Sequence, residues 1–351
     1  MVLYATKRIG DAASLTKSLL LPFSVMLWLK LALLAFFVGG GGGFPGGGFQ
    51  SFSGGSPSPG GGPTTVQPPE NILFIVAAIV VVALAIGLVL GLAGAIAEFV
   101  FVRSLREQSV QIREGFRRYL RPGARLFGFR IALGLVSLLL VGGVTVALFW
   151  SEISALLAGD PITVNGASIF IRFFGVIIVA AIASLPFVFV LGFTAEFVVP
   201  IMLKKGCGVL DGWGRLWSTI RGQPKQYIVY IFISLILRAL TGFVVGILLF
   251  ILGLVIGIPF LLVGIFVAVA LPPGTSVVGA LLLGAIAVVG VVVFVSLVSV
   301  IQVPVVAFHR YFALLVLGDV EPDFDVLGDL RPPLEADDSD DADDEPDAAP
   351  A

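Results

Sequence analysis

The sequence predicts an all-α integral membrane protein with six transmembrane helices, on the evidence of its composition and of six long apolar runs. Apolar residues make up 58% of the 351 residues and charged residues 13%, whereas a soluble protein carries about 25% charged residues. About 20 apolar residues cross a bilayer as a helix, and a helix satisfies its own backbone hydrogen bonds where water is absent. The six runs are Leu19–Gly39, Ile72–Val102, Ile131–Trp150, Phe173–Leu203, Ile228–Pro272 and Val277–Phe308.

The distribution of lysine and arginine predicts how these helices are oriented. Basic residues are concentrated before the first run and in segments 103–125 and 204–225, and the alternate connections carry almost none. Short segments rich in lysine and arginine stay in the cytoplasm. We therefore expect a multi-pass protein of the cell membrane, with both termini in the cytoplasm and a Gly-, Pro- and Ser-rich external loop at 40–70.

The fifth run is too long for one straight span. At 1.5 Å per residue it would extend roughly 67 Å, about twice the thickness of the hydrocarbon core. Gly253, Gly257 and Pro259 are expected to break or bend it. A seventh span, a re-entrant segment and a strongly tilted helix are therefore alternatives for this run.

The sequence Ala-Glu-Phe-Val occurs twice, at 97–100 and at 195–198, each time at the end of an apolar run and before basic residues. The end of the third even-numbered run lacks the glutamate and has Gln302 as a loose counterpart. A short amphipathic stretch and then a proline precede each odd-numbered run. These prolines are Pro22, Pro122 and Pro224. Because internal repeats are common in multi-span folds, we predict three parallel helix-pair repeats, each preceded by a cytoplasmic amphipathic helix.

The two repeated glutamates, Glu98 and Glu196, are candidate functional residues. Each lies near the predicted cytoplasmic end of its span, too deep for free solvation and too costly to leave unpaired. Neither has a cation four residues away in its own helix, so a partner must come from a neighbouring span. The candidates are Lys30, Arg130 and Arg238. Such pairs either fix the packing of the spans or form a cation or proton site on a transport path.

The amphipathic stretches 103–121 and 209–222 are expected to lie at the membrane interface. Their apolar residues fall on one helical face, and tryptophan beside arginine suits the level of the lipid headgroups. Anionic headgroups are the expected partner. The alternative is an arginine patch that binds a phosphate-bearing ligand or nucleic acid; nucleic acid is disfavoured because the basic residues are distributed among several membrane-flanking segments. The residues expected to face lipid are Trp213, Trp217, Arg117, Arg118 and Arg121.

Residues 1–318 are predicted to form the membrane domain, and residues 319–351 a disordered, acidic cytoplasmic tail. The segment 335–351 is a block of like charge with nothing apolar to bury. The chain contains six lysines and fifteen arginines. An acidic tail together with few lysines is typical of the proteins of salt-adapted archaea.

Three stretches carry a resemblance to known proteins. The segments "LPFSVMLWLKLALLAFFVGGGGG" (21–43) and "EFVVPIMLKKGCGVLDGWGRLWSTIRGQPKQYIVY" (196–230), with the acidic end, resemble an uncharacterised family of haloarchaeal multi-pass membrane proteins. More distantly, residues 197–217 are similar to the membrane domain attached to some bacterial glycerophosphodiester phosphodiesterases. Neither resemblance implies an activity, because the sequence has no counterpart of the phosphodiesterase catalytic domain.

Few residues suited to catalysis are present. The single cysteine, Cys207, excludes an intramolecular disulfide and a cysteine-cluster metal site. The single histidine, His309, argues against His-ligated zinc, and no residue is marked as a nucleophile that it could activate. We therefore predict no catalytic residues, no metal site and no cofactor.

The sequence favours a non-enzymatic membrane module that organises lipids or an unidentified partner protein at the cytoplasmic face. The alternative is a transporter or channel for a small or lipidic solute that uses intramembrane glutamate and arginine residues. An enzyme of lipid metabolism is a third interpretation, for which the sequence offers no catalytic constellation. A polar cavity between the spans would favour transport, and a packed interior with charges at the cytoplasmic rim would favour the module.

Overall fold

The computed structural model describes residues 4–38, 64–66, 72–159, 162–164, 166–270 and 276–333. In these ranges the chain is helical apart from two three-residue strands, β1 (Thr64–Val66) and β2 (Ile162–Val164), which pair antiparallel. A π-helical turn, Thr194–Val198, follows the seventh helix, and two 3-10 turns, Pro322–Phe324 and Gly328–Leu330, follow the last. The helices are α1 (Tyr4–Leu20), α2 (Val25–Phe36), α3 (Ile72–Glu107), α4 (Ile112–Arg118), α5 (Leu120–Leu148), α6 (Trp150–Ala158), α7 (Gly166–Phe193), α8 (Val199–Lys205), α9 (Val209–Gly222), α10 (Pro224–Ala270) and α11 (Ser276–Val320).

Five helical segments among the described residues are long and apolar enough to cross a membrane, which confirms the prediction of a helical membrane protein at this level. The predicted first span, Leu19–Gly39, is not one continuous helix. Its first two residues end α1, and α2 begins at Val25. Pro22 lacks a backbone N–H and disfavours helix at the residue before it, so the helix stops there. The five segments are Val80–Glu107, Leu120–Leu148, Phe170–Lys205, Pro224–Val267 and Leu281–Val320.

The break predicted within 228–272 is absent. Helix α10 is continuous over 47 residues and includes Pro259. It runs beside α11, where Phe260 lies against Gly290: a methyl group at Gly290 would be 3.1 Å from the phenyl ring. A proline in a transmembrane helix is tolerated where neighbouring helices support it, and this close contact with α11 adjoins Pro259.

Buried side chains are concentrated at one end of the long helices, in a region that we call the compact body. It contains α1, α2, α8 and α9, the last third of α3, the first turns of α10, and residues 303–320 of α11. Residues 94–102 of α3 are buried on every side, and a helix that is apolar all round belongs at the centre of a core. Four of the five long segments enter this region with the end that adjoins the basic segments 103–125 and 204–225, and α11 enters it with its C-terminal end.

Outside the compact body the long helices expose their apolar side chains. Leu139, Ile182, Phe243 and Val292 are each more than half exposed, which is costly in water and favourable in lipid. Helices α3, α5 and α7 pack in that order, and α10 pairs with α11. Helix α7 makes no extended contact with α10 in the described residues. The membrane region therefore consists of two groups of helices that are joined in the compact body.

Residues 319–333, which the sequence analysis assigned to the tail, pack on the compact body through the buried side chains Phe324, Val326 and Leu327. The apolar residues recur throughout this stretch, whereas the acidic block begins only at 335. Residues 334–351 lie outside the described residues, as does the predicted external loop 40–70 except for β1.

Candidate functional site

Glu98 lies near the centre of the compact body and binds two arginines. Its side chain is only 4% exposed. Oε1 accepts a hydrogen bond from Arg130 Nη2 of α5 at 3.0 Å, and Oε2 accepts one from Arg310 Nη2 of α11. A carboxylate that is shared by two guanidinium groups in a buried site is held by charge-assisted hydrogen bonds on both oxygens.

The position of Glu98 relative to Arg130 depends on a close approach of α3 and α5. A methyl group at Gly123 would lie 2.6 Å from Ile96 Cγ1 and 3.0 Å from Ile96 Cα. Only glycine fits a contact this short, because the backbone of α3 cannot move aside as a flexible side chain can. Gly123 lies seven residues before Arg130 on α5. The close contact therefore fixes the position along the helix axis at which the Arg130 guanidinium meets Glu98.

Glu196 lies in the π-helical turn and binds two residues of α10. Its Oε2 accepts a hydrogen bond from the Tyr230 hydroxyl at 2.8 Å, and its Oε1 forms an ion pair with Arg238. The side chain of Arg238 is 52% exposed. This pair therefore lies at the edge of the compact body, whereas Glu98 is enclosed.

Arg310 joins the two glutamate sites. Besides its bond to Glu98, its Nη1 donates to the carbonyl oxygen of Ala195, the residue before Glu196. A π-helical turn frequently marks a functional site, because it alters the regular α-helical hydrogen bonding. We call the set Glu98, Arg130, Glu196, Tyr230, Arg238 and Arg310 the arginine–carboxylate network.

Of the residues predicted to form intramembrane charge pairs, all but Lys30 belong to this network. Arg130 contacts Glu98 and Arg238 contacts Glu196. Lys30 has neither glutamate as a partner, since its Nζ lies 3.4 Å from the carbonyl oxygen of Val110. Arg310 was not predicted. The signal was available, because Arg310 is a cation at the end of the last apolar run with no acidic residue within four positions.

The residues predicted to face lipid differ in their exposure. Trp213 is partly buried against the compact body, and its indole N–H donates to Thr194 Oγ1 at 2.9 Å. Trp217 is half exposed, and Arg221 lies 5.3 Å from the centre of its ring. Arg117, Arg118 and Arg121 are exposed.

A second ion-pair cluster, which we call the terminal clasp, joins α1 to the end of α11. Arg8 is 1% exposed and binds Asp319 through Nε at 2.7 Å and Nη2 at 2.9 Å. Its Nη1 donates to Asp11 at 2.6 Å and to the Pro332 carbonyl at 2.8 Å, and Arg331 also binds Asp319. The hydrogen bond with Asp319 raises the pKa of Arg8 above its ordinary value, so Arg8 is charged throughout the accessible pH range.

A family model matches residues 3–327, which include the compact body, the network and most of the clasp. The chain belongs to a family of unknown function, DUF7544. No curated protein and no solved structure matches it.

In this DUF7544 protein the network borders a polar stripe on α10. Tyr230, Ser234 and Arg238 are spaced by four residues and so lie on one face of the helix. His309 of α11 interacts electrostatically with Arg238, and its Nδ1 lies 2.8 Å from the Val305 carbonyl oxygen. Its Nε2 is buried and has no hydrogen-bond partner in the described part of the chain. The stripe thus brings hydroxyl, guanidinium and imidazole groups together where the compact body meets the exposed apolar segments.

Proposed function

We propose that this protein is a non-enzymatic membrane module that organises anionic lipids at the cytoplasmic face. The carrying observation is that the packed core lies at the basic ends of the helices and presents exposed arginines there. Arg113, Arg117 and Arg118 of α4, together with Glu114, line an open surface hollow of about 550 Å³. Arginine binds phosphate through a planar fork and is weakly hydrated, so it suits phosphate contacts better than lysine.

The proposal includes six spans with both termini in the cytoplasm. The terminal clasp supports it, because Arg8 and Asp319 bind each other directly and must lie on the same side of the membrane. An even number of crossings must separate them, and α3, α5, α7, α10 and α11 provide five. The sixth would fall within residues 21–71, beginning with α2. The order of a short helix and two longer ones in α4, α5 and α7 and in α9–α11 supports two of the three proposed parallel repeats, whereas in the first unit α2, with 12 residues, is shorter than α1, with 17.

The orientation can be tested by cysteine labelling in a Cys207→Ser background. Ala158 ends α6 and Ser218 lies on α9, and both are exposed. In intact cells, Ala158→Cys is expected to react with an impermeant maleimide from outside, and Ser218→Cys only after the membrane is permeabilised. Reaction of Ser218→Cys in intact cells, or protection of Ala158→Cys, would contradict the orientation.

The alternative is a transporter that uses the intramembrane charges, and one observation favours it: Arg238 is half exposed beside apolar residues of α10. Two features favour the module instead. Glu98 is bonded on both oxygens, and two hollows of the described part of the chain, one on α4 and one between α1, α10 and α11, are lined by neither Glu98 nor Glu196.

The scarcity of lysine and the resemblance to haloarchaeal proteins support a salt-adapted origin. At molar salt the Debye length is about 3 Å. Attraction between the protein and anionic lipid would then require direct contact between guanidinium and phosphate, which the exposed arginines of α4 can make.

Reconstitution into vesicles tests the module directly. The vesicles consist of phosphatidylcholine with a small amount of spin-labelled lipid. We expect labelled phosphatidylglycerol to be enriched at the protein about fivefold over labelled phosphatidylcholine. This factor corresponds to roughly 1 kcal/mol, the attraction of one basic residue near the surface for an anionic lipid. Replacing Arg113, Arg117, Arg118 and Arg121 with glutamine should remove most of this preference. Arg172→Gln is the control, since Arg172 binds Glu152 on the predicted external side at 2.6 Å.

Two results would contradict the module. One is equal enrichment of the two lipids around the wild-type protein. The other is proton flux into vesicles loaded with a pH-sensitive dye that is lost in Glu98→Gln, which would establish transport.

A further inference from the structure

The arginine–carboxylate network has one more positive charge than negative charge. Arg130, Arg238 and Arg310 face Glu98 and Glu196, and His309 adds no negative charge. Arg130 and Arg310 share a single carboxylate. A surplus cation in a poorly solvated site is unfavourable unless an anion compensates it.

Arg238 is the place where such an anion can reach the network. Its side chain is 52% exposed, whereas that of Glu98 is 4% exposed. A guanidinium group has five N–H donors, so donors remain after the contact with Glu196. Leu235, one turn before Arg238 on α10, is exposed and apolar. Arg238 is therefore a charge at the boundary between the compact body and the lipid-facing part of α10.

The space beside Arg238 is open along the membrane region. Its contact with Glu196 connects α10 to the turn that follows α7, yet the two helices make no extended contact in the described residues. Helix α2 packs against both α11 and α3. The two groups of helices are thus bridged at α2 and separated between α7 and α10.

Beyond the contact at Arg238, both helices that border the gap expose apolar side chains to the membrane region. On α7, Leu185 and Phe189 are more than half exposed, and on α10 the same holds for Phe243 and Val244. The gap therefore presents a cationic group at its inner end and apolar side chains along its length. An amphiphile with an anionic head and hydrocarbon chains matches both parts.

We propose that the gap between α7 and α10 binds one phospholipid, with its phosphate against Arg238 and its acyl chains along the exposed faces of the two helices. This inference rests on the proposed function and assigns it a specific site. The phosphate offsets the surplus charge of the network, and Ser234, one turn before Arg238 on the same face of α10, has a buried hydroxyl without a partner among the described residues. The site differs from the exposed arginines of α4, which bind headgroups without ordering a single lipid.

The test is a thermal-shift titration of the purified full-length protein in detergent. We expect dioctanoyl phosphatidylglycerol to raise the melting temperature saturably, and dioctanoyl phosphatidylcholine to do so at concentrations at least about tenfold higher. Arg238→Gln is expected to weaken the phosphatidylglycerol midpoint by about tenfold or more, since one charge-assisted phosphate contact is removed. Arg221→Gln, which removes an exposed arginine outside the network, should leave the midpoint unchanged.

A second variant covers the case in which Arg238→Gln does not fold. Glu196→Gln/Arg238→Gln removes both charges of the pair, so that neither charge is left unpaired. In this double variant the midpoints for phosphatidylglycerol and phosphatidylcholine should no longer differ by about tenfold. Equal midpoints for this double variant and the wild type would overturn the proposal. So would a shift produced equally by both lipids, or a shift saturated by inorganic phosphate alone, which would indicate a free-anion site.

The variant with four glutamines on α4 separates this proposal from the broader one. It should retain the phosphatidylglycerol midpoint in detergent while losing lipid enrichment in vesicles. If this variant binds phosphatidylglycerol with a midpoint at least about tenfold weaker than the wild type, binding is assigned to α4 and the site at Arg238 is overturned. If instead only Arg238→Gln fails to change the midpoint, the site is overturned and the proposed function remains.

Discussion

Replacing Glu98 with glutamine is expected to lower the free energy of unfolding by about 3–5 kcal/mol, the usual cost of removing one partner of a buried ion pair. The substitution leaves Arg310 buried without its carboxylate and Arg130 without a counter-charge. Unfolding of the purified protein in mixed micelles, followed by circular dichroism, measures the change.

Glu107→Gln is the matched control on the same helix. Glu107 pairs with Arg103 at 2.7 Å but is more than a third exposed, so its loss should cost about 0.3–0.5 kcal/mol. Rescue distinguishes the two arginines that bind Glu98. Because Arg310 is the more buried, Glu98→Gln/Arg310→Met should recover more stability than Glu98→Gln/Arg130→Gln. Equal stability of Glu98→Gln and the wild type would mean that the network does not hold the helices together.

Asp319→Asn is expected to have an effect of similar size, about 3–5 kcal/mol, for the same reason. It removes the carboxylate that binds both Arg8 and Arg331. Because the clasp attaches α1 to α11, the expected consequence is local: α1 separates before the rest of the protein unfolds. Hydrogen exchange followed by mass spectrometry should register faster exchange in residues 4–20.

Asp323→Asn serves as the comparison for this experiment. Asp323 pairs with Lys205 at 3.0 Å, and its side chain is 76% exposed, so its removal should leave the exchange of α1 unchanged. If residues 4–20 exchange as slowly in Asp319→Asn as in the wild type, the clasp does not attach α1 to α11.

The sequence predicted the helical membrane class and directed attention to the charged residues of the network. Composition and run length are sufficient for the class, because the bilayer requires long apolar helices. The repeated Ala-Glu-Phe-Val identified Glu98 and Glu196, and the cost of leaving them unpaired led to Arg130 and Arg238 as candidates. The structure places each of these arginines beside a glutamate.

Other features depend on contacts that the sequence does not encode locally. Arg310 meets Glu98 across 212 residues, and Arg8 meets Asp319 across 311 residues. Helices that are apolar on all sides also carry no periodicity that specifies their neighbours. For this reason the distinction between buried and lipid-facing portions, and the partial burial of Trp213, could not be read from the pattern of apolar residues.

The prediction for α10 was a break or a bend, and the helix is continuous, so there is no break. Proline disrupts a helix because it lacks a backbone N–H and its ring clashes with the carbonyl four residues earlier, and in water the freed backbone groups can be hydrated. In lipid, an unpaired backbone group has no such alternative, and the contact of Phe260 with α11 supports the helix next to Pro259.

The terminal clasp has a consequence for biogenesis. Arg8 leaves the ribosome 311 residues before its partner Asp319, and at about 5–20 residues per second this is an interval of roughly 15–60 s. For most of that time α1 lacks α11, the helix against which it packs most extensively, and an amphipathic helix in this position adsorbs to the membrane surface. Helix α1 is therefore made long before the helix on which it docks, and closure of the clasp follows the insertion of α11.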